Sequence, residues 1–234
     1  MDKTISVIIP TLNEEKYIGD ILTDLGRQTI KKVEVIVVDG KSKDKTISIV
    51  KKYKKVKIIS TKANIAHQRN IGAKNSKGDL LVFMDADIRI NTYFLKKVNE
   101  IFEKDHIDIG CPIYLPNEKH LQSLILYGIL NGIFFLVQRI LPSGAGSCII
   151  VRKKAYLKAK GFDPRFTFDD MHFLSKFKKT GKFRTLMLKV LVSNRRIKKL
   201  GFIQSLLIYS KLSWYFIRSD FKGANSIKYP FGQY

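Results

Sequence analysis

Short apolar runs alternate with amphipathic stretches through the first half of the chain. Five runs rich in β-branched residues, at 5–10, 33–39, 56–60, 79–85 and 107–115, predict strands. The stretches between them, at 14–28, 44–54, 64–75 and 92–104, predict helices. Near-continuous apolarity such as Val33, Val35, Ile36, Val37 and Val38 suits a strand covered on both faces. The alternation therefore predicts an α/β fold with a doubly wound, mainly parallel sheet. Ligands of such sheets sit beyond the carboxyl ends of the strands. There the first strand runs into Pro10-Thr11-Leu12-Asn13-Glu14-Glu15, the second into Asp39-Gly40-Lys41-Ser42 and the fourth into Asp85-Ala86-Asp87.

The second half is less regular. Residues 121–141 are the most apolar segment; within it 124–137 is interrupted only by Tyr127, Gly128, Asn131 and Gly132, too short and too interrupted for a membrane span of about 20 apolar residues. A buried or interfacial helix is expected. Residues 148–151 predict a further strand, Gly161-Phe162-Asp163-Pro164 a turn, and 170–179 a helix. A basic stretch, 194–199, precedes an aromatic one, 202–221, with Tyr209, Trp214, Tyr215, Phe216 and Phe221. There are no internal repeats and no low-complexity linker.

Composition narrows the class. The chain has 234 residues, 45% hydrophobic and 11% aromatic, which is one domain's worth with a short appendage and excludes a disordered or collagen-like chain. Two cysteines, Cys111 and Cys148, build no disulfide framework and stand in no metal-ligand spacing, so a reducing, cytoplasmic setting is expected. Met1 to Ser6 passes straight into Val7, Ile8 and Ile9, and no export signal is read there. With 43 Lys and Arg against 20 Asp and Glu, the formal charge of +23 implies a polyanionic partner: nucleic acid, anionic lipid or a phosphorylated substrate.

Several residues carry chemistry, each beside a plainer reading. Asp85 and Asp87 suit a hard divalent cation held against a diphosphate, or a helix cap or turn. Asp39 suits a nucleobase or ribose hydroxyl, or the turn that Asp39-Gly40 makes. Ser42 or Asp44 caps the next helix, and Asn13, Glu14 and Glu15 suit a helix start. Arg69 is placed to reach an acidic or phosphorylated ligand, or is solvated. Asp169 and Asp170, after Phe166-Thr167-Phe168, form a carboxylate pair able to supply a general base, or a cap. Arg195 and Arg196 suit a phosphate clamp or a solvated basic face.

In order along the chain, SVIIPTLNEE (6–15), VVDGKS (37–42), RNIGA (69–73), GDLLVFMDAD (78–87) and GFDPRF (161–166) resemble the inverting family 2 glycosyltransferases of the GT-A fold. The match runs from Ser6 to about Arg196. The resemblance implies transfer of a hexosyl group from a UDP- or GDP-linked sugar, with a GT-A catalytic domain at 1–198 and a basic aromatic segment at 199–234. Within the domain, 1–115 would be the nucleotide-sugar half and 116–198 the acceptor half. Pro10, Thr11, Leu12, Glu14, Asp39, Arg69, Asp85 and Ala86 match donor-site positions, Asp39 facing the base. Asp85 and Asp87 match the family's metal motif for Mg²⁺ or Mn²⁺, and Asp170 its general base. The family usually has Glu-Asp where this chain has Asp169-Asp170. Arg195 and Arg196, within Ser193-Asn194-Arg195-Arg196, resemble an element that clamps the donor diphosphate.

The basic surface, the apolar helix at 121–141 and the aromatic tail suit peripheral contact with an anionic membrane at its cytoplasmic face, and hence a lipid-linked acceptor, with a glycan as the other possibility. Two rivals stand beside this reading. A nucleic-acid-binding protein would use the same charge, but there is no RNP-type motif or zinc module, and the lysines are spread along the chain. A nucleotidyltransferase would use a similar sheet, but no Gly-rich phosphate loop follows the first strand. No nucleic-acid partner is therefore expected.

Overall fold

The computed structural model describes residues 4–118, 120–138, 141–178 and 182–227, with the Arg196 side chain also outside that description. The apolar runs become β1 (Ile5–Thr11), β2 (Val33–Asp39), β3 (Val56–Ser60) and β4 (Leu80–Met84). The helices among them are α1 (Ile18–Gly26), α2 (Thr46–Val50) and α3 (Ile65–Lys74). Next come β5 (Ile88–Arg89), α4 (Phe94–Lys104), β6 (Ile109–Pro116), α5 (Leu121–Val137) and β7 (Cys148–Arg152). The chain continues through α6 (Lys153–Lys158), α7 (Asp169–Ser175), β8 (Phe183–Val192), α8 (Arg195–Leu200), α9 (Phe202–Arg218) and α10 (Phe221–Ala224).

The strands form one sheet in the order β3-β2-β1-β4-β7-β6-β8-β5. β1 pairs in parallel with β2 and β4, β2 with β3, and β6 with β8, while β7 and β5 run against their neighbours. This is the mainly parallel, doubly wound sheet that the alternation predicts. Its both-faced burial explains the apolar runs: Ile5, Val7 and Ile9 join the core beneath α1 and α4, and Ile8, Ile36 and Val38 the core beneath α3. Residues 199–200, expected with the tail, end α8, and 228–234 of that tail lie outside the described residues.

Two strands are absent from the sequence reading. β8 alternates, with Leu186, Val190 and Val192 inward and Met187 and Lys189 exposed, a period-2 signal overlooked among its basic residues. β5 has two residues, too few for any periodicity, yet it decides the site. Pairing Ile88 with Val192 carries the turn after β4 to the end of β8, where the Ser193 N–H donates to the Asp87 carbonyl at 3.2 Å. Asp87 and Arg195 become neighbours through that pairing.

Close packing sets the height of α3. A Cβ on Gly72 would lie 2.3 Å from Cγ2 of Ile8 and 3.2 Å from Cγ2 of Val38, so only glycine lets the helix approach the sheet this closely. Gly72→Ala is therefore expected to destabilise the fold by about 1–3 kcal/mol through overpacking. That exceeds the ~1 kcal/mol that alanine returns in helix propensity. A lower urea midpoint at unchanged slope checks it; an unchanged or higher midpoint contradicts it.

Candidate functional site

The carboxyl ends of β1, β2, β4 and β8 share one edge, and α3 delivers Arg69 over it. Arg69 is 2% exposed, and its guanidinium is the centre of a carboxylate cluster. Nη1 donates to both Asp169 oxygens, at 3.1 and 3.0 Å. Nη2 donates to Asp85 Oδ1 at 3.4 Å and to the Gly146 carbonyl at 3.0 Å. The ring of Phe162 lies 5.1 Å from the guanidinium carbon. The next residue ties in the GFDPRF segment: Asn70 Nδ2 donates to the Phe162 carbonyl at 2.7 Å, and its Oδ1 accepts from Phe162 N–H at 2.9 Å and Tyr156 O–H at 2.6 Å. Arg69 thereby anchors α7, which begins with Asp169 and Asp170, and Asn70 anchors the segment that leads to it.

One guanidinium thus faces three carboxylates. Burial, assisted by Asp170 and Asp85, raises the Asp169 pKa to about 6 although Arg69 pulls it down. Burial likewise raises Asp170 against the same pull. Arg69 stays charged, since the surrounding carboxylates outweigh its own desolvation. The Asp170 carboxylate packs on the backbone of Gly146, where a Cβ would lie 2.3 Å from Oδ2. Tyr114 holds that loop, its O–H placed at 2.6 Å from the Ala145 carbonyl and 2.8 Å from the Cys148 carbonyl. Tyr114 and the Gly144-to-Ser147 loop were missed from sequence, where nothing local to these residues signals a role.

The loops after β1 and β2 are laced together. Asp39 accepts from Thr11 Oγ1 at 3.2 Å, Ser42 N–H at 2.9 Å and Ser42 Oγ at 2.5 Å. It is 2% exposed and stands behind the cavity wall. Asp44 accepts from the Thr46 N–H at 2.9 Å and the Glu15 N–H at 3.0 Å, a structural role at the start of α2. Glu14 does not cap a helix, since α1 begins at Ile18. Its two oxygens accept from Arg195 Nη1 and Nη2 at 2.8 and 2.9 Å, a bidentate pair. Burial raises the Glu14 pKa, opposed by Arg195. Arg195 Nε lies 2.9 Å from Asp87 Oδ2, and the Tyr17 ring lies 4.9 Å from the guanidinium carbon.

A cavity of about 550 Å³ opens over this edge, within the range of small-molecule sites. Pro10, Thr11, Leu12, Glu14, Arg69, Asp85, Ala86, Asp170 and Arg195 all line it; Asp39 and Asp87 are not among its lining residues, and Asp87 adjoins it through Arg195. The far wall comes from α5 and α9. Among the described residues no group of three or more His, Cys, Asp or Glu is placed to hold a metal ion. A divalent cation that shares its shell with a diphosphate needs only one or two protein carboxylates. Asp85 and Asp87 fit such an ion, with Arg195 as the competing cation at Asp87.

Comparison with known proteins agrees with this arrangement. The family model described as "Glycosyl transferase family 2" matches residues 6–158. Poly(ribitol-phosphate) beta-N-acetylglucosaminyltransferase TarS of Staphylococcus aureus is 37% identical over 112 residues, 44% of this chain and 20% of that protein. A dolichyl N-acetyl-alpha-D-glucosaminyl phosphate 3-beta-D-2,3-diacetamido-2,3-dideoxy-beta-D-glucuronosyltransferase of Methanococcus voltae is 36% identical over 109 residues, 43% of this chain and 34% of that protein. The match thus spans a fifth to a third of these curated relatives. The crystal structure of S. aureus TarS 1-349 with UDP superposes with a TM-score of 0.63 at 23% identity, over 81% of this chain and 60% of that one. The mannosyltransferase PcManGT of Pyrobaculum calidifontis, in complex with GDP-Man and Mn²⁺, gives 0.65 at 20% identity, over 82% and 57%. At those identities the structures share the fold.

Removing the central cation tests the cluster. Arg69→Met leaves Asp169 buried without its partner and is expected to cost about 3–5 kcal/mol of stability. Because the native pKa of Asp169 is raised, its ionisation weakens the fold as pH rises through about 6. Without Arg69 to lower it, Asp169 in the variant keeps its proton to a higher pH, so the deficit should narrow as pH falls toward about 6 and level off below it. Urea unfolding of both proteins between pH 4.5 and 8 measures it, and a pH-independent deficit contradicts the assignment.

Proposed function

The chain belongs to glycosyl transferase family 2, and on that premise we propose that it is an inverting glycosyltransferase. It moves a sugar from a UDP- or GDP-linked donor to a hydroxyl or phosphate of a lipid-linked or glycan acceptor. The carrying observation is that one cavity faces Asp85 at a strand end and Asp170 at the start of α7, both gathered around Arg69. A donor site and a base are thereby presented to one space.

The nucleotide lies against Pro10, Thr11 and Leu12, with Asp39 fixing that pocket from behind through Thr11 and Ser42. Arg195, oriented by Glu14, faces the diphosphate, and Arg196 beside it is proposed for the same clamp. Asp85 and Asp87 would hold Mg²⁺ or Mn²⁺, which supplies positive charge against the departing diphosphate. Asp170 takes the proton of the acceptor hydroxyl as that oxygen bonds to the anomeric carbon. The bond from that carbon to the diphosphate breaks on the opposite side, its electron pair leaves with the phosphate oxygen, and the configuration inverts. The raised pKa of Asp170 makes it a stronger base than an exposed aspartate. Arg69 and Asp169 are positioning residues: they offset part of the cluster's negative charge and keep the Gly146 backbone against Asp170. An acceptor phosphate, already ionised, would need Asp170 only for placement.

The charge of +23 and the exposed apolar helices support peripheral work at the cytoplasmic face of an anionic membrane. Among the described residues no helix is long and apolar enough to cross one. Sedimentation with vesicles containing anionic lipid should show binding that falls steeply between 50 and roughly 500 mM salt, as screening shortens the Debye length. Salt-independent binding would remove the electrostatic part of this reading.

Asp170→Asn is expected to lower the transfer rate by about 10²–10⁴-fold while leaving nucleoside diphosphate affinity unchanged. With a hydroxyl acceptor, the acid limb of kcat/KM in the native enzyme should fall above the ordinary aspartate range, because Asp170 must lose its proton to act. Calorimetry with UDP and GDP, with Mn²⁺ and with EDTA, and a pH–rate profile decide both points. Absence of binding to either nucleotide would sink the proposal.

A further inference from the structure

The cavity continues past Asp170 into a cleft between two helices whose apolar surface the protein itself does not use. From α5, Tyr127, Leu130 and Phe134 face the cleft; from α9, Leu212, Ser213 and Phe216 do, both sets at helical spacing on one face. α5 is apolar nearly all round, yet only Ser123 and Leu126 of its 17 residues are buried. Such a helix is ordinarily enclosed by a core or by lipid.

Amide side chains hold it in place instead. Asn131 Nδ2 donates to the Tyr114 carbonyl at 2.6 Å, its Oδ1 accepts from the Tyr114 N–H at 3.0 Å, and Gln138 Oε1 accepts from the Thr185 N–H at 2.9 Å. α9 is seated on the other side by Leu212, packed with Phe168 next to Asp169. The cleft is therefore a built wall fixed to the carboxylate cluster.

The charge around it points to the occupant's sign. After Glu118 the sequence holds 22 Lys and Arg against four carboxylates, Asp163, Asp169, Asp170 and Asp220. Asp163 is itself paired with Arg165 at 2.7 Å, and Arg165, at the cavity rim, is largely exposed. A glycan would require hydrogen-bonding partners along the cleft, and the facing side chains are mostly hydrocarbon and aromatic.

We propose that the α5–α9 cleft holds the hydrocarbon chain of an acceptor lipid that bears a phosphate head, placing the head beside Asp170. This rests on the transfer reaction proposed above. The facing residues of α5 span seven positions, roughly 10 Å of helix, enough for two to three isoprene units or a chain of about eight methylenes. Affinity should therefore rise with chain length and then level off.

The test titrates the whole protein by calorimetry with inorganic phosphate, geranyl phosphate, farnesyl phosphate and dodecyl phosphate. All are kept below micelle formation, with the nucleoside diphosphate that binds present. Farnesyl phosphate should bind at least tenfold more tightly than geranyl phosphate, and inorganic phosphate should give no measurable heat. Comparison of farnesyl with dodecyl phosphate distinguishes an isoprenoid from a straight-chain source. Ser213→Trp, and independently Leu130→Trp from the facing wall, should weaken both long-chain ligands at least tenfold and leave nucleotide affinity unchanged, which also reports folding. Ile217→Gln, 67% exposed and not among the cavity's lining residues, should leave them unchanged. Equal affinity for all four probes, or loss with Ile217→Gln but not with either tryptophan, overturns the cleft. Nucleotide binding without chain dependence defeats this inference alone, and chain dependence without nucleotide binding defeats the transfer reading alone.

Discussion

A buried guanidinium that faces more negative charge than it carries organises this protein. Desolvating Arg69 is tolerable only with carboxylates in contact, and each of those carboxylates is itself tolerable only because Arg69 is there. The requirement reaches outward. α3 has to lie close enough for Arg69 to reach the strand ends, which Gly72 permits, and the 143–147 loop has to lie flat enough for a backbone carbonyl to complete the shell. Segments 100 residues apart in the chain, Arg69 and Asp169, are thereby locked in one geometry. Burial raises the proton affinity of Asp170 and Arg69 holds that rise in check, so the interaction that stabilises the fold also moderates the base.

A second cation works at the other end of the cavity by a different logic. Arg195 arrives through β5 and β8, and its bidentate pair with Glu14 connects the first loop of the sheet to the last. Its Nε contact with Asp87 places a positive charge where a cation beside a diphosphate would lie. Arg69 is enclosed, whereas the side chain of Arg195 retains 16% of its exposure at the cavity wall. One arginine is closed in by its partners; the other lines the cavity.

What was legible in the sequence follows from the range of each interaction. Strands buried on both faces betray themselves by unbroken apolar runs, so β1, β2 and β4 and the edge they share could be read directly, with Asp85, Asp87 and Glu14 at their ends. The family resemblance contributed Asp170 and Arg195 as site residues. Long-range partners were not legible. Nothing near Glu14 says that its carboxylate meets Arg195, because that contact depends on a two-residue strand, and nothing in Ser143 to Ser147 says that Gly146 must lack a Cβ for Asp170. Asp39 divides the same way: its place at the end of β2 was legible, while the three hydrogen bonds it accepts from Thr11 and Ser42 were not.

The two halves of the chain divide the physical work unequally. Up to Glu118 the residues bury a continuous core, and 16 of the 20 carboxylates of the chain lie there, which leaves that half nearly balanced in charge. Beyond Glu118 the basic residues are hardly opposed, and α5 and α9 leave large apolar side chains such as Leu136 and Trp214 in solvent. Neither feature serves stability: unopposed charge repels itself, and exposed leucine forgoes burial. Both become favourable beside a surface that is anionic outside and hydrocarbon within. The carboxylate cluster lies where these halves meet, so in the proposed reaction it would join a nucleotide held by the sheet to an acceptor presented from the basic, apolar side.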